Sequence, residues 1–274
     1  MLTQEQKQTF AQDGYLIVHG LFSKAETELL AQHYMDLHEK DATDADRSGD
    51  EDPLKRFPRL LMMHRYDPIS LQWLLDRRIA SVLNELLGKD PFAVQTMIYY
   101  KPPQARGQAL HQDQYFLRAQ PGTCIAAWMA LDRCDDENGC LRVVPGSQDW
   151  PLLCTTKADT TQSFTDMTVP IPSGTEAVHA LLDPGDVLFF NGQLVHGSGP
   201  NRTTDRFRRS LIGHYIEGDA NQVATYYHPV LRMDGSEVKL DVSEGGGACG
   251  IWVDQDGQPM IELAGVEGLA GRTE

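Results

Sequence analysis

The chain has 274 residues, of which 41% are hydrophobic and 8% aromatic, enough apolar content for a folded core and too much for a disordered chain. Against 24 Lys and Arg stand 39 Asp and Glu, a formal charge of −15. That balance excludes general nucleic-acid binding and disfavours adsorption to anionic membranes, since both need a basic face. It leaves the oligomeric state open.

Residues 1–14 are polar, with neither the basic start nor the apolar stretch of a signal peptide. No run approaches the ~18 apolar residues of a membrane helix. Thr3-x-x-Gln6 and Ser23-x-x-Glu26 each fit a helix capping box, and Tyr15-Leu-Ile-Val18 between them reads as a short strand. Residues 36–56 are acidic and irregular and read as a surface loop. A further helix runs from about Asp76 to Leu87, with Ile79, Val82, Leu83, Leu86 and Leu87 on one face and Gly88 as its stop.

After Pro91 the pattern changes to strand-like runs at 92–100, 125–131, 140–144, 187–190 and 210–216. Turn chemistry separates them: Asn138-Gly139, Pro145-Gly146 and Asp183-Pro-Gly-Asp186. Helices first and short strands after predict a β-rich α+β chain, an antiparallel sandwich or barrel with helices packed outside. From Gly235 onward Gly-rich turns dominate, so the C-terminus reads as an appendage. The five cysteines (Cys124, Cys134, Cys140, Cys154, Cys249) form an odd set without a CxxC pair. The expectation is free thiols in a reducing cytoplasm, with neither a disulfide framework nor structural zinc.

Three fragments carry chemistry. His111-Gln-Asp113 places two ligand-type side chains two residues apart, which in a strand would share a face. With nine histidines and 39 acids in 274 positions, about one such pair is expected by chance. The second fragment is His196, glycine-flanked after the apolar run 187–190, at a strand end where a cavity mouth would lie. Two His and one carboxylate make the facial ligand set of non-haem Fe(II) oxygenases. The third is Arg208-Arg209-Ser210. An α-keto diacid needs a cation for its distal carboxylate, and Arg208 and Ser210 would share a strand face while Arg209 points away. The acid-rich turn 132–139 fails the Ca²⁺-loop pattern, and neither a Gly-x-Ser-x-Gly elbow nor a P-loop is present.

In order along the chain stand Lys101-Pro-Pro, His111-Gln-Asp113, Ala127-Trp128, Asn138-Gly139-Cys140-Leu141, Val144-Pro145-Gly146-Ser147, Gly185-Asp186-Val187, His196-Gly-Ser198-Gly and Phe207-Arg208. This series, from roughly Phe10 to Met233, resembles the phytanoyl-CoA dioxygenase family of Fe(II)- and 2-oxoglutarate-dependent oxygenases. The resemblance implies a double-stranded β-helix, the cupin-like jelly roll, with flanking N-terminal helices. One oxygenase domain over 1–274 follows: a helical part to about 90, a jelly-roll core over about 91–233, and an extension over 234–274.

The resemblance also implies His111, Asp113 and His196 as iron ligands and Arg208 as partner of the far carboxylate of 2-oxoglutarate, with Ser198 and Ser210 nearby. The His-to-Arg interval varies by a residue in the family, and the adjacent Arg209 is kept as the alternative. Trp128 is implied as a wall of the cosubstrate pocket. Gln95, Met97, Tyr99 and Lys101 alternate onto one face of the preceding strand. The set faces a polar cavity, with Gln95 and Met97 implied as pocket contacts; for Lys101, ahead of Pro-Pro, a solvated strand end is the alternative. Tyr115 and Phe116 are candidates for the substrate side, and Arg59 for a second anion contact or a surface position. Fe(II), 2-oxoglutarate and O₂ would then oxidise a small molecule, releasing succinate and CO₂. Related halogenases lack the carboxylate, so Asp113 favours hydroxylation or another oxidative outcome. Two other readings stand beside this: a jelly-roll metal protein of different activity, and a non-catalytic small-molecule binding module. Family members accept acyl-CoA thioesters, compatible solutes and other natural products, so the substrate is not specified. Residues 37–59, 152–177 and those from Gly218 are the expected lids.

Overall fold

In the computed structural model, residues 1–41, 50–245 and 247–264 are described. The strand runs expected from the sequence are strands, each within one residue of its expected bounds: β1 (Tyr15–Val18), β2 (Pro91–Tyr99), β4 (Cys124–Ala130), β5 (Leu141–Val143), β7 (Val187–Asn191) and β9 (Ser210–Glu217). Three shorter strands complete the core: β3 (Gln108–His111), β6 (Val178–Ala180) and β8 (His196–Ser198). From β2 onward the chain crosses back and forth between two antiparallel sheets, except that β5 and β6 follow one another in the same sheet. The larger runs β1-β7-β4-β9-β2 and continues through Val230–Arg232 to Glu237–Val238; the smaller runs β3-β8-β5-β6. This is the jelly-roll order, with β2, β4, β7 and β9 facing β3, β5, β6 and β8.

The near-continuous apolar runs follow from burial on both faces of the larger sheet. On β4, Ala126, Trp128 and Ala130 join Leu141, Val143, Phe190 and Ile212 between the sheets. The intervening Ala127 and Met129 join Tyr34, Trp73, Ile79 and Leu83 under the helices. The first helix (Gln4–Asp13) begins with the Thr3 capping box, and Gly14 ends it at φ 78. The helix Arg77–Leu87 is capped by the Asp76 carboxylate and ends at Gly88 with φ 70, burying Ile79, Val82 and Leu83. Each such side chain contributes about 1.5–3 kcal/mol by leaving water. Within the stretch read as a loop, the helix Lys24–Asp41 continues past residue 36 and Pro53–Arg56 forms a helical turn. Leu37, Glu39 and Lys40 are good helix formers despite the local charge, and 42–49 lie outside the described residues.

The expectation of five free thiols is overturned. Cys154 and Cys249 form a disulfide across 95 residues of sequence, with Cα atoms 4.9 Å apart, while Cys124, Cys134 and Cys140 are free and buried. The bond closes where a C-terminal hairpin (Cys249–Gln255 with Gln258–Ala264) docks on the segment after Trp150. Gly250 N donates to Leu152 O at 2.7 Å and Cys154 N to Gly250 O at 2.9 Å. Trp252 packs edge-on to Trp150 with centroids 5.0 Å apart, and its Nε1 donates to Pro170 O at 3.0 Å. Tertiary docking, not local spacing, makes this pair. Denatured without reductant, the protein should therefore titrate three thiols rather than five. Cys249→Ser should lower the free energy of urea unfolding by about 2–4 kcal/mol, chiefly through the unfolded chain.

Candidate metal centre and its cavity

His111 is the last residue of β3, and the backbone turns immediately: Asp113 has helical φ −63 and ψ −32 ahead of the turn Gln114–Leu117. Two residues of one strand face is therefore not why these side chains converge. A strand end running into a helical turn does it. Gln112 between them points elsewhere, donating from Nε2 to Pro151 O at 3.2 Å and Gln193 O at 2.8 Å, and accepting from Leu153 N at 2.8 Å.

His196 opens β8 directly opposite His111 in the ladder, which brings the two ring centroids to 4.2 Å. Each imidazole is oriented by a carbonyl two residues back: His111 Nδ1 donates to Ala109 O and His196 Nδ1 to Leu194 O, both at 2.9 Å. A proton on Nδ1 leaves Nε2 as a bare lone pair, the form a metal takes. His111 Nε2 lies 3.4 Å from Asp113 Oδ1 and His196 Nε2 3.7 Å from Oδ2. One ligand atom from each of the three can be chosen with all within 4.8 Å of one another. Adjacent ligands on bonds of about 2.1 Å sit roughly 3 Å apart, so the donor set closes on one ion with small adjustments. Two imidazoles and one carboxylate suit Fe(II).

Burial alone would raise the Asp113 carboxyl, but the neighbouring imidazoles of His196 and His214, with the hydrogen bond from His214, hold it well below the usual carboxylate range. Burial, reinforced by His111, pulls His196 down to about 4, with Asp113 opposing, so this ring is neutral at pH 7.

The three side chains open into a cavity of about 270 Å³ between the sheets. Of the candidates read from the sequence, Gln95, Met97, Trp128, Ser198 and Arg208 all line it. Arg208 is 3% exposed, its guanidinium carbon 5.2 Å from the Trp128 ring centroid. Its Nη1 donates to Ser210 Oγ at 2.8 Å, so Ser210 braces the arginine from behind the wall. Arg208 Nε has no hydrogen-bond partner among the described residues. Arg209 faces the other way, held by the Asp132 carboxylate through Nε, Nη2 and its backbone N at 2.9, 2.7 and 2.7 Å.

Lys101 is not a solvated strand end. It is 2% exposed, and Nζ donates to Gly199 O at 2.6 Å, Ser198 Oγ at 2.8 Å and Gly139 O at 3.2 Å. Burial, then the neighbouring Arg208 charge, lowers its pKa. Phe116 lines the cavity; Tyr115 does not, and is exposed. Arg59 reaches the wall too, donating to Tyr99 Oη at 2.9 Å. Each expected lid contributes: Arg59 from the first, Phe164 and Thr165 from the second, Tyr226 and Tyr227 from the third.

Two residues escaped the sequence reading. Gln108, on β3, donates from Nε2 to His111 Nε2 at 3.1 Å and accepts from Tyr99 Oη at 3.2 Å. His214 lies 3.0 Å from Asp113 Oδ2. It is in no local motif, but it is two residues past Ile212 on β9 and both line the cavity, so strand alternation was the available signal.

Lys101→Ala removes the donor to three buried acceptors and should destabilise the protein by about 1–3 kcal/mol, read as a lowered urea midpoint.

The phytanoyl-CoA dioxygenase family model matches residues 10–210. A probable phytanoyl-CoA dioxygenase of Caenorhabditis elegans is 26% identical over 242 residues, covering 80% of this chain and 77% of its own. The peroxisomal phytanoyl-CoA dioxygenase of Rattus norvegicus is 25% identical over 241 residues, covering 82% and 71%. Among solved structures, EvdO2 from Micromonospora carbonacea var. aurantiaca complexed with 2-oxoglutarate superposes with a TM-score of 0.64 at 22% identity, covering 80% of this chain and 92% of that one. With a family model spanning most of a jelly roll that gathers two histidines and an aspartate at one cavity, this chain belongs to the phytanoyl-CoA dioxygenase family and is a non-haem iron, 2-oxoglutarate-dependent oxygenase.

Proposed function

We propose that His111, Asp113 and His196 hold Fe(II), and that Arg208, with Ser198, Ser210, Trp128, Gln95 and Met97, receives 2-oxoglutarate. The enzyme then hydroxylates, or otherwise oxidises, a small organic molecule with release of succinate and CO₂. One observation carries this reading. A buried guanidinium faces the same cavity as the three ligands, while its neighbour Arg209 is neutralised by Asp132. A triad alone does not select an α-keto diacid; a fixed cation at the far end of the cavity does.

Iron and 2-oxoglutarate together supply the activation of O₂. The chain's own residues bind, orient and shield. The Nδ1–carbonyl hydrogen bonds hold both imidazoles with Nε2 inward. Arg208 offers a planar fork to a carboxylate, pre-positioned by Ser210 and packed against Trp128. Met97, Leu141, Phe190 and Ile212 give the cavity apolar walls, excluding water from a reactive centre. An intact Asp113 favours oxygen transfer to substrate over halogenation.

Residues 1–274 are read as one oxygenase domain, supported by the hydrogen bonds that tie the C-terminal hairpin to residues 152–154. Among the described residues no helix is long and apolar enough to cross a membrane. A cytoplasmic location is proposed on the three free, buried thiols; the Cys154–Cys249 bond weighs against it, and finding that bond intact in cells lysed directly into alkylating agent would overturn it.

Asp113→Ala should reduce Fe(II)-dependent conversion of 2-oxoglutarate to succinate to background without changing the circular dichroism spectrum. Succinate formed at the normal rate would overturn the assignment. Arg208→Met should raise KM for 2-oxoglutarate about 10- to 100-fold, the loss of charged hydrogen bonds contributing about 1.5–3 kcal/mol. Arg209→Lys, which keeps a cation for Asp132, should leave that KM unchanged.

A further inference from the structure

We propose that His214 is a positioning residue for the metal site, holding the Asp113 carboxylate in its ligating orientation; this rests on the metal-site reading above. The three ligands are not equally supported by their own segments. His111 and His196 each tie Nδ1 to the carbonyl two residues earlier, so their strands fix their rings. Asp113 lies beyond the end of β3 at the head of a helical turn, and its side chain makes no capping hydrogen bond to that turn. Its orientation must come from elsewhere in the fold.

His214 supplies it. The ring is 4% exposed, on a strand flanked on both sides: His214 pairs with Gln95 of β2 and with Ala126 of β4. That backbone cannot follow a carboxylate that swings away. Nε2 is 3.0 Å from Asp113 Oδ2. An ionised carboxylate only accepts, so the hydrogen lies on Nε2 and His214 is the donor. Its Nδ1 is then a bare acceptor, buried with no hydrogen-bond partner among the described residues. Buried polar atoms seldom go unpaired. Here the ring leaves one nitrogen unsatisfied to commit the other to a ligand. With Nε2 protonated and engaged by Asp113, His214 is not a fourth ligand through that atom. It acts through the carboxylate, as the outer partners of metal ligands do.

The test is Co(II) binding to the metal-free full-length protein, followed by its visible absorption, with far-UV circular dichroism as the fold control. Wild type should bind Co(II), and Asp113→Ala should abolish that spectrum, locating the ion at the triad. His214→Leu should weaken Co(II) binding about 10- to 100-fold and shift the band. His214→Asn, polar but with an amide too short to reach Asp113, should do the same and serves if the Leu variant does not fold. His214→Gln, whose amide N–H extends to about the position of Nε2, should restore binding to within about threefold. Wild-type affinity in folded His214→Leu or His214→Asn overturns the proposal. So does equal loss in the Gln variant, which would make the role one of packing. A wild type that fails to bind Co(II) overturns both this and the metal site. A wild type that binds Co(II) with the expected variant pattern, yet forms no succinate with Fe(II), overturns the oxygenase reading and leaves His214 in place.

Discussion

Asp113 places a carboxylate in the interior, 8% exposed, and much of the architecture answers to it. A buried charge is tolerated only with close partners, and removing one typically costs about 3–5 kcal/mol. Here the partners are imidazoles from three strands: His111 from β3, His196 from β8 and His214 from β9. Two of those strands belong to the smaller sheet and one to the larger. The same carboxylate that makes the site competent for metal thus pins one sheet to the other across the sandwich, and a register slip in any of the three strands would strand it.

The turn that carries Asp113 is braced from behind as well. Gln112 bonds to the backbone of Pro151, Leu153 and Gln193. The C-terminal hairpin bonds to Leu152 and, through Cys249, to Cys154. The docked hairpin and the ligand turn therefore meet on one short segment, residues 151–154. That segment leads into the loop whose Phe164 and Thr165 line the cavity. A C-terminal extension that reads as an appendage is mechanically close to the chemistry.

Charge is distributed against the overall balance. The chain carries −15, yet the cations buried near the cavity, Arg208 and Lys101, are 3% and 2% exposed. Lys101 is tied to backbone carbonyls and Ser198 rather than to a carboxylate and burial lowers its pKa, so it is Arg208 that sets a fixed positive charge on the cavity wall. An anion entering there replaces lost hydration with fixed donors. The global acidity says nothing about this.

Local pattern carried a good deal. The capping boxes, the Gly88 stop, the strand runs and their turn residues were legible because hydrogen-bonding needs at a helix end, and period-two burial in a strand, act within a few residues. His111, Asp113, His196 and Arg208 were readable as a spaced series, and the motif string named the family. What depended on distant chain segments was hidden. That Arg208 lines the cavity while Arg209 turns away rests on Asp132 capturing the latter. The burial of Lys101 rests on Gly139 and Gly199. The Cys154–Cys249 bond needs the hairpin docked, and His214 needs β9 laid beside β2 and β4. The sequence by itself determined which elements form and which chemistry they carry. Only the tertiary structure decided which side chains meet, because cross-sheet register and loop docking are set by packing between residues that lie a hundred or more positions apart, and no spacing along the chain encodes it.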